Sequence, residues 1–184
     1  MFSNEIVWEN KETFGCEYLK CLITDTAVHA ESTVIYLGPG APVQLDYQIE
    51  MDRSWRTKLV NIYSKSGQSL QLNSIDSGKW ADKNGTIMAE LDGAVDVDLS
   101  ATPFTNSLPV NRFNWKPNQQ RVLEMVYISA PSLEVFKMKQ TYTFIELKGE
   151  VRIFNFKSPG FESFISVDEK GFVVDYPGLF VRRR

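Results

Sequence analysis

Residues Gln44-Leu45-Asp46-Tyr47-Gln48-Ile49-Glu50-Met51 alternate polar and apolar side chains without a break. On an extended chain successive side chains point to opposite faces, so Leu45, Tyr47, Ile49 and Met51 share one face and the polar four share the other. A strand with one face on a core and one in water belongs to an antiparallel sheet. The same period recurs in Phe136, Met138, Tyr142 and Phe144, set against Lys137, Lys139, Thr141 and Thr143, and again in Phe161, Ser163, Ile165 and Val167. No segment sustains a 3.6-residue period over helical length, so the chain reads as all-β.

Turn formers punctuate the pattern: Gly38-Pro39-Gly40, Ser66-Gly67, Ser77-Gly78, Asn84-Gly85, Lys148-Gly149 and Pro159-Gly160. Asn84-Gly85 predicts a type I′ hairpin, because that turn needs positive φ at both central residues. The pattern predicts antiparallel strands over about 5–9, 14–24, 27–37, 42–52, 55–64, 68–75, 79–82, 86–91, 95–99, 111–115, 120–130, 134–147, 150–157, 161–168 and 172–176. A dozen or more strands do not stay in one flat sheet, so a single β-roll or barrel-like body with an apolar interior is expected. The strand-poor stretch 100–119 is the natural place for functional loop chemistry.

The 184 residues suffice for one domain spanning 1–184, which at this length buries roughly 70% of its unfolded surface without staples. The net charge of −3 supplies no basic surface for a nucleic-acid backbone, so nucleic acid is excluded as a partner. The single His29 rules out a His-rich metal site, and no cofactor is expected. Cys16 and Cys21 fall on one strand at roughly 16 Å separation and on opposite faces, so they cannot pair with each other. Two free thiols suit a reducing compartment. The start MFSNEIVWEN has no basic or apolar leader region, and no stretch approaches the ~18 apolar residues of a transmembrane segment. A cytoplasmic location is expected.

The segment Leu91 to Asn106 concentrates chemistry. Asp92 sits in a turn with Gly93, while Asp96 and Asp98 on an extended strand project from one face about 6–7 Å apart, which suits a shared water, a cation or sugar hydroxyls. The loop Thr102-Pro103-Phe104-Thr105-Asn106 offers short polar side chains and an aromatic for the rim of a pocket. Trp55 and Arg56 pair an indole with a guanidinium, suited to a sugar ring or a head-group phosphate, and Trp80 is a further aromatic candidate. Arg182-Arg183-Arg184 reads as a frayed, solvated tail with, at most, a weak membrane-surface contact.

Several of these motifs together resemble the glycolipid-binding family once grouped as a domain of unknown function. They are Met51-Asp52-Arg53-Ser54-Trp55-Arg56, Asp76-Ser77-Gly78-Lys79-Trp80, the runs Leu91 to Asp98 and Ala101 to Val110, and Val167 to Phe180 with its Asp175-Tyr176-Pro177-Gly178-Leu179-Phe180 ending. The resemblance implies a curled antiparallel β-roll similar to the bacterial lipoprotein carriers, a lipid or glycolipid ligand, and neither a reaction nor a cofactor. On this reading acyl chains enter the roll while Trp55, Arg56, Trp80, Asp92, Asp96, Asp98, Thr102, Phe104, Thr105 and Asn106 contact the head group. Two alternatives stand beside it. One is an enzyme on a sugar or lipid with Asp96 and Asp98 as acid and base, which needs both carboxylates on one cleft. The other is a β-rich interaction module, which needs a large exposed apolar patch or an obligate dimer.

Overall fold

The computed structural model describes residues 2–184. Its strands are β1 (Phe2–Asn10), β2 (Gly15–Ile23), β3 (Ala27–Leu37), β4 (Pro42–Asp52), β5 (Thr57–Ser64), β6 (Ser69–Asp76), β7 (Lys79–Asp82), β8 (Asp96–Leu99), β9 (Gln120–Ser129), β10 (Glu134–Lys148), β11 (Val151–Ser158), β12 (Phe161–Val167), β13 (Val173–Tyr176) and β14 (Phe180–Arg182). All lie in one curled sheet of order β7-β6-β5-β4-β3-β2-β1-β14-β13-β12-β11-β10-β9-β8. Two meanders therefore meet at the middle of the sheet, where β1 pairs with β14 and Trp8 stands opposite Arg182.

The two edge strands, β7 and β8, are consecutive in the chain, and the segment between them ties the edges together. Trp80 Nε1 donates to the Ala94 carbonyl at 2.8 Å, and the Gly93 N–H donates to the Gly78 carbonyl at 2.8 Å. Gly78 has φ +84°, and a Cβ there would sit 3.3 Å from the Gly93 backbone, so the approach of the two edges requires glycine. The sheet is curled rather than closed, since β7 and β8 share no ladder.

The buried faces follow the alternation. In β4, Leu45, Tyr47, Ile49 and Met51 are each no more than 1% exposed. One core cluster packs the inner face of β1–β7 with Trp80, Leu91, Val97, Phe104, Leu108 and Phe172. A second gathers Val110, Tyr142, Phe144, Phe154, Phe156, Ile165, Tyr176 and Phe180 on the inner face of β10–β14. Between them runs the chain from β8 through a 3₁₀ turn (Phe104–Asn106) into the short helix α1 (Ser107–Arg112). Residues 101–110 are buried throughout, and Phe104 stacks between Tyr47 (6.4 Å) and Phe172 (6.3 Å). This internal segment packs apolar side chains toward both clusters and carries its polar ones between them.

Six expectations are corrected. Strand β8 runs parallel to β9, with Asp98 opposite Tyr127, so the sheet is not wholly antiparallel. Segment 86–91 is no strand: a single bridge, Ala81 to Ile87, precedes a 3₁₀ turn (Ala89–Leu91). The Asn84-Gly85 turn is not type I′, because only Gly85 has positive φ (81°); Asp82 Oδ1 holds the turn instead by accepting from the N–H groups of Asn84 and Thr86. Segment 111–115 carries the end of α1 and no strand, and Trp115 packs edge-on to Phe154 at 5.1 Å. Within the strand-poor stretch 100–119, residues 101–110 form an internal packing element, not a surface loop. The arginine end is not frayed: β14 pairs with β1, the Val7 N–H donates to the Arg184 carbonyl at 3.1 Å, and Arg182 Nη1 donates to Asp168 Oδ2 at 2.5 Å.

Candidate functional site

Beside β8 the inner face of the second meander opens into a cleft of ≈310 Å³. Asp98, Thr102 and Asn106 line one side of it together with Gln140 of β10. Asp98 is half-buried, and its carboxylate accepts from Gln140 Nε2 at 2.5 Å and from Thr105 Oγ1 at 3.0 Å. Burial pushes its pKa up, against those two hydrogen bonds. Asn106 Oδ1 accepts from the Tyr142 hydroxyl at 2.9 Å. Gln140 is 1% exposed, and its Oε1 has no partner.

The opposite wall is aromatic. Phe156, Phe161 and Tyr176 pack mutually with ring centroids 6.1–6.2 Å apart, and Phe180 joins Tyr176 at 6.4 Å. Phe161 is 38% exposed, so part of its ring faces solvent at the mouth. A second cleft of ≈290 Å³ shares Ser100, Tyr127, Leu179 and Phe180 with the first and continues past Ala101 and Ala130. The site is thus amphiphilic, with a carboxylate and two amides facing a continuous aromatic surface.

Of the residues singled out from sequence, the structure brings Asp98, Thr102 and Asn106 together at this cleft, with buried Thr105 donating to Asp98 from behind it. It does not bring the others there. Trp55 (8% exposed), Trp80 (0%) and Phe104 (0%) are core side chains, and Trp55 lies edge-on to Phe172 at 6.2 Å. Asp92 is exposed, and its carbonyl accepts from Lys137 Nζ at 2.8 Å. Asp96 is fully buried and faces Arg112, whose Nη2 lies 2.7 Å from Oδ2 but off the line of a directed hydrogen bond. Burial raises the Asp96 pKa to about 6 against the pull of Arg112, and Arg56 adds a smaller opposing charge. The two carboxylates therefore do not share one cleft.

A second fully buried acid escaped the sequence reading. Glu17 of β2 is 2% exposed; Oε1 accepts from Ser32 Oγ at 2.8 Å and from the Tyr47 hydroxyl at 2.6 Å, and Oε2 accepts from Thr102 Oγ1 at 2.6 Å. Burial raises its pKa to about 7 even though the three hydroxyls favour the charged form. Through Thr102 this network pins the internal segment to β2, β3 and β4. Glu17, Ser32 and Gln140 each occupy the apolar phase of their strands, as in Met138-Lys139-Gln140-Thr141-Tyr142, and that misplaced polarity is the signal that finds them.

A groove of similar size, ≈320 Å³, lies on the outer face between Tyr18 and Tyr63. Its central polar groups satisfy each other, Thr33 Oγ1 donating to Asp46 Oδ1 at 2.6 Å, whereas the Asp98 cleft holds a buried acceptor without a partner. Among the described residues no group of three His, Cys, Asp or Glu side chains is placed to hold a metal. No helix among the described residues is long and apolar enough to cross a membrane.

The fold is a curled fourteen-stranded β-roll with an amphiphilic cleft on its inner face. A family model described as "Putative glycolipid-binding" matches residues 5–182, and the chain belongs to that family. It is also similar, at 30% identity and a TM-score of 0.77, to the crystal structure of a DUF1089 family protein from Pseudomonas aeruginosa, with 90% of this chain and 91% of that one covered. No curated protein matches the chain.

Proposed function

We propose that the protein binds a glycolipid without transforming it, the sugar in the Asp98 cleft and an acyl chain along the adjoining cleft toward Leu179 and Phe180. The observation that carries this reading is the pairing of Asp98, Gln140 and Asn106 with a facing wall of Phe156, Phe161 and Tyr176. A sugar ring presents hydroxyls at its edge and C–H groups on its faces, so it matches a polar wall on one side and an aromatic wall on the other. Family membership supports the same ligand class. An acid–base enzyme using Asp96 with Asp98 finds no such support, since Asp96 faces Arg112 in the interior. The exposed free thiol of Cys16 supports a reducing compartment, in keeping with the cytoplasm.

Calorimetric titration with monoglucosyl dihexanoylglycerol tests the proposal. Saturable one-to-one binding, weakened by Phe161→Ala without loss of thermal stability, is expected. Absence of saturable binding to wild-type protein overturns it.

A further inference from the structure

None of the fifteen residues lining the Asp98 cleft is a lysine, arginine or histidine, and its one charged residue is an acid. The one buried polar atom of its lining without a partner is an acceptor. Gln140 turns its NH₂ to Asp98 at 2.5 Å, which leaves Oε1 buried with both lone pairs free. Each Asp98 oxygen receives one donor and keeps room for another. Beside these acceptors, Thr102 Oγ1 donates to Glu17 and Asn106 Nδ2 donates to the Pro103 carbonyl at 3.3 Å, while the hydroxyls of Tyr127, Ser158 and Tyr176 lie farther along the lining.

A ligand that completes this site brings O–H or N–H donors and no negative charge. Phosphate and sulfate suit it poorly, because their oxygens offer no donor to Gln140 Oε1 and they set an anion beside Asp98 with no cation to offset it. A quaternary ammonium suits an acid and an aromatic wall but has no hydrogen for Gln140. Sugar hydroxyls supply the donors. Resting on the glycolipid reading above, we infer that the cleft selects an uncharged, hydroxyl-bearing head group, with Gln140 Oε1 and Asp98 accepting from neighbouring hydroxyls, and discriminates against phosphate and phosphocholine.

The test holds the tails constant: wild-type protein is titrated with monoglucosyl dihexanoylglycerol, dihexanoyl phosphatidic acid and dihexanoyl phosphatidylcholine below their micelle concentrations. The glucolipid binds at least about tenfold more tightly than either phospholipid, the scale of one buried acceptor satisfied or left bare. Gln140→Leu and the closer-shaped Gln140→Met each cut glucolipid affinity by about tenfold and leave the phospholipids within about twofold. Asp98→Asn narrows the gap to phosphatidic acid. Equal wild-type affinities for the glucolipid and either phospholipid overturn the selectivity while leaving glycolipid binding standing. Failure of the glucolipid to bind at all overturns the glycolipid reading itself.

Discussion

Replacing Glu17 by glutamine should change the pH dependence of stability in a direction the buried network dictates. The Glu17 carboxyl has an ordinary pKa of 4.5 and is raised by burial to about 7 in the fold. The folded protein therefore holds this proton over an interval where the unfolded chain releases it, so stability is full below pH 4.5 and falls as pH rises toward 7. That interval, at about 1.4 kcal/mol per pH unit, is worth about 3 kcal/mol between pH 4 and pH 8. Glutamine does not titrate. It keeps an acceptor for Ser32 and Tyr47 but presents an NH₂ to Thr102, whose hydroxyl already accepts from the Phe104 N–H at 2.9 Å. That mismatch costs about 1 kcal/mol at every pH. Glu17→Gln is then about 1 kcal/mol less stable than wild type at pH 4 and about 2 kcal/mol more stable at pH 8. Urea unfolding of both proteins across this range reads the crossing directly, and taking the difference cancels Asp96, Asp98 and the exposed groups. A difference that stays flat within about 1 kcal/mol, or one that favours wild type as pH rises, would contradict a Glu17 carboxyl that burial holds protonated.

Two further substitutions probe the internal segment. Arg112→Ala removes the cation facing fully buried Asp96 and should cost about 3–5 kcal/mol at pH 8. The loss should be smaller at pH 5, where a carboxyl already raised to about 6 takes up a proton; equal losses at the two pH values in urea unfolding would count against the pairing. Gly171→Ala forces a Cβ to within 2.3 Å of the Asn111 side chain at φ +84°. A loss of about 1–3 kcal/mol is expected in chemical denaturation, with Asn111→Ala in the same chain recovering the steric part and not the backbone part.

Alternation made most of the roll legible, because a strand with one buried face writes that face into every second residue, as Leu45 to Met51 does. The parallel pairing of β8 with β9 was not legible, since Asp96-Val97-Asp98-Leu99 is too short to announce its direction. Nor was α1: six residues do not display a 3.6-residue period, and Pro109 reads as a loop former although it is tolerated in a first helical turn. At the site, Asp98, Thr102, Thr105 and Asn106 lie close in sequence and could be found as a motif. Gln140 and the aromatic wall come from strands β10 to β14 and are brought there only by the curl of the sheet. Trp80 and Phe104 misled for the opposite reason. Aromatics suit a ligand and a core equally, and here Trp80 spends its one N–H on Ala94 while Phe104 fills the gap between Tyr47 and Phe172.

A crystal structure of the protein with monoglucosyl dihexanoylglycerol would show which cleft holds the sugar. The glucose ring is expected between Phe161 or Tyr176 and the pair Asp98 and Gln140, with a hydroxyl within hydrogen-bonding distance of Gln140 Oε1. A sugar bound instead in the outer groove between Tyr18 and Tyr63, with the Asp98 cleft holding only water, would contradict it.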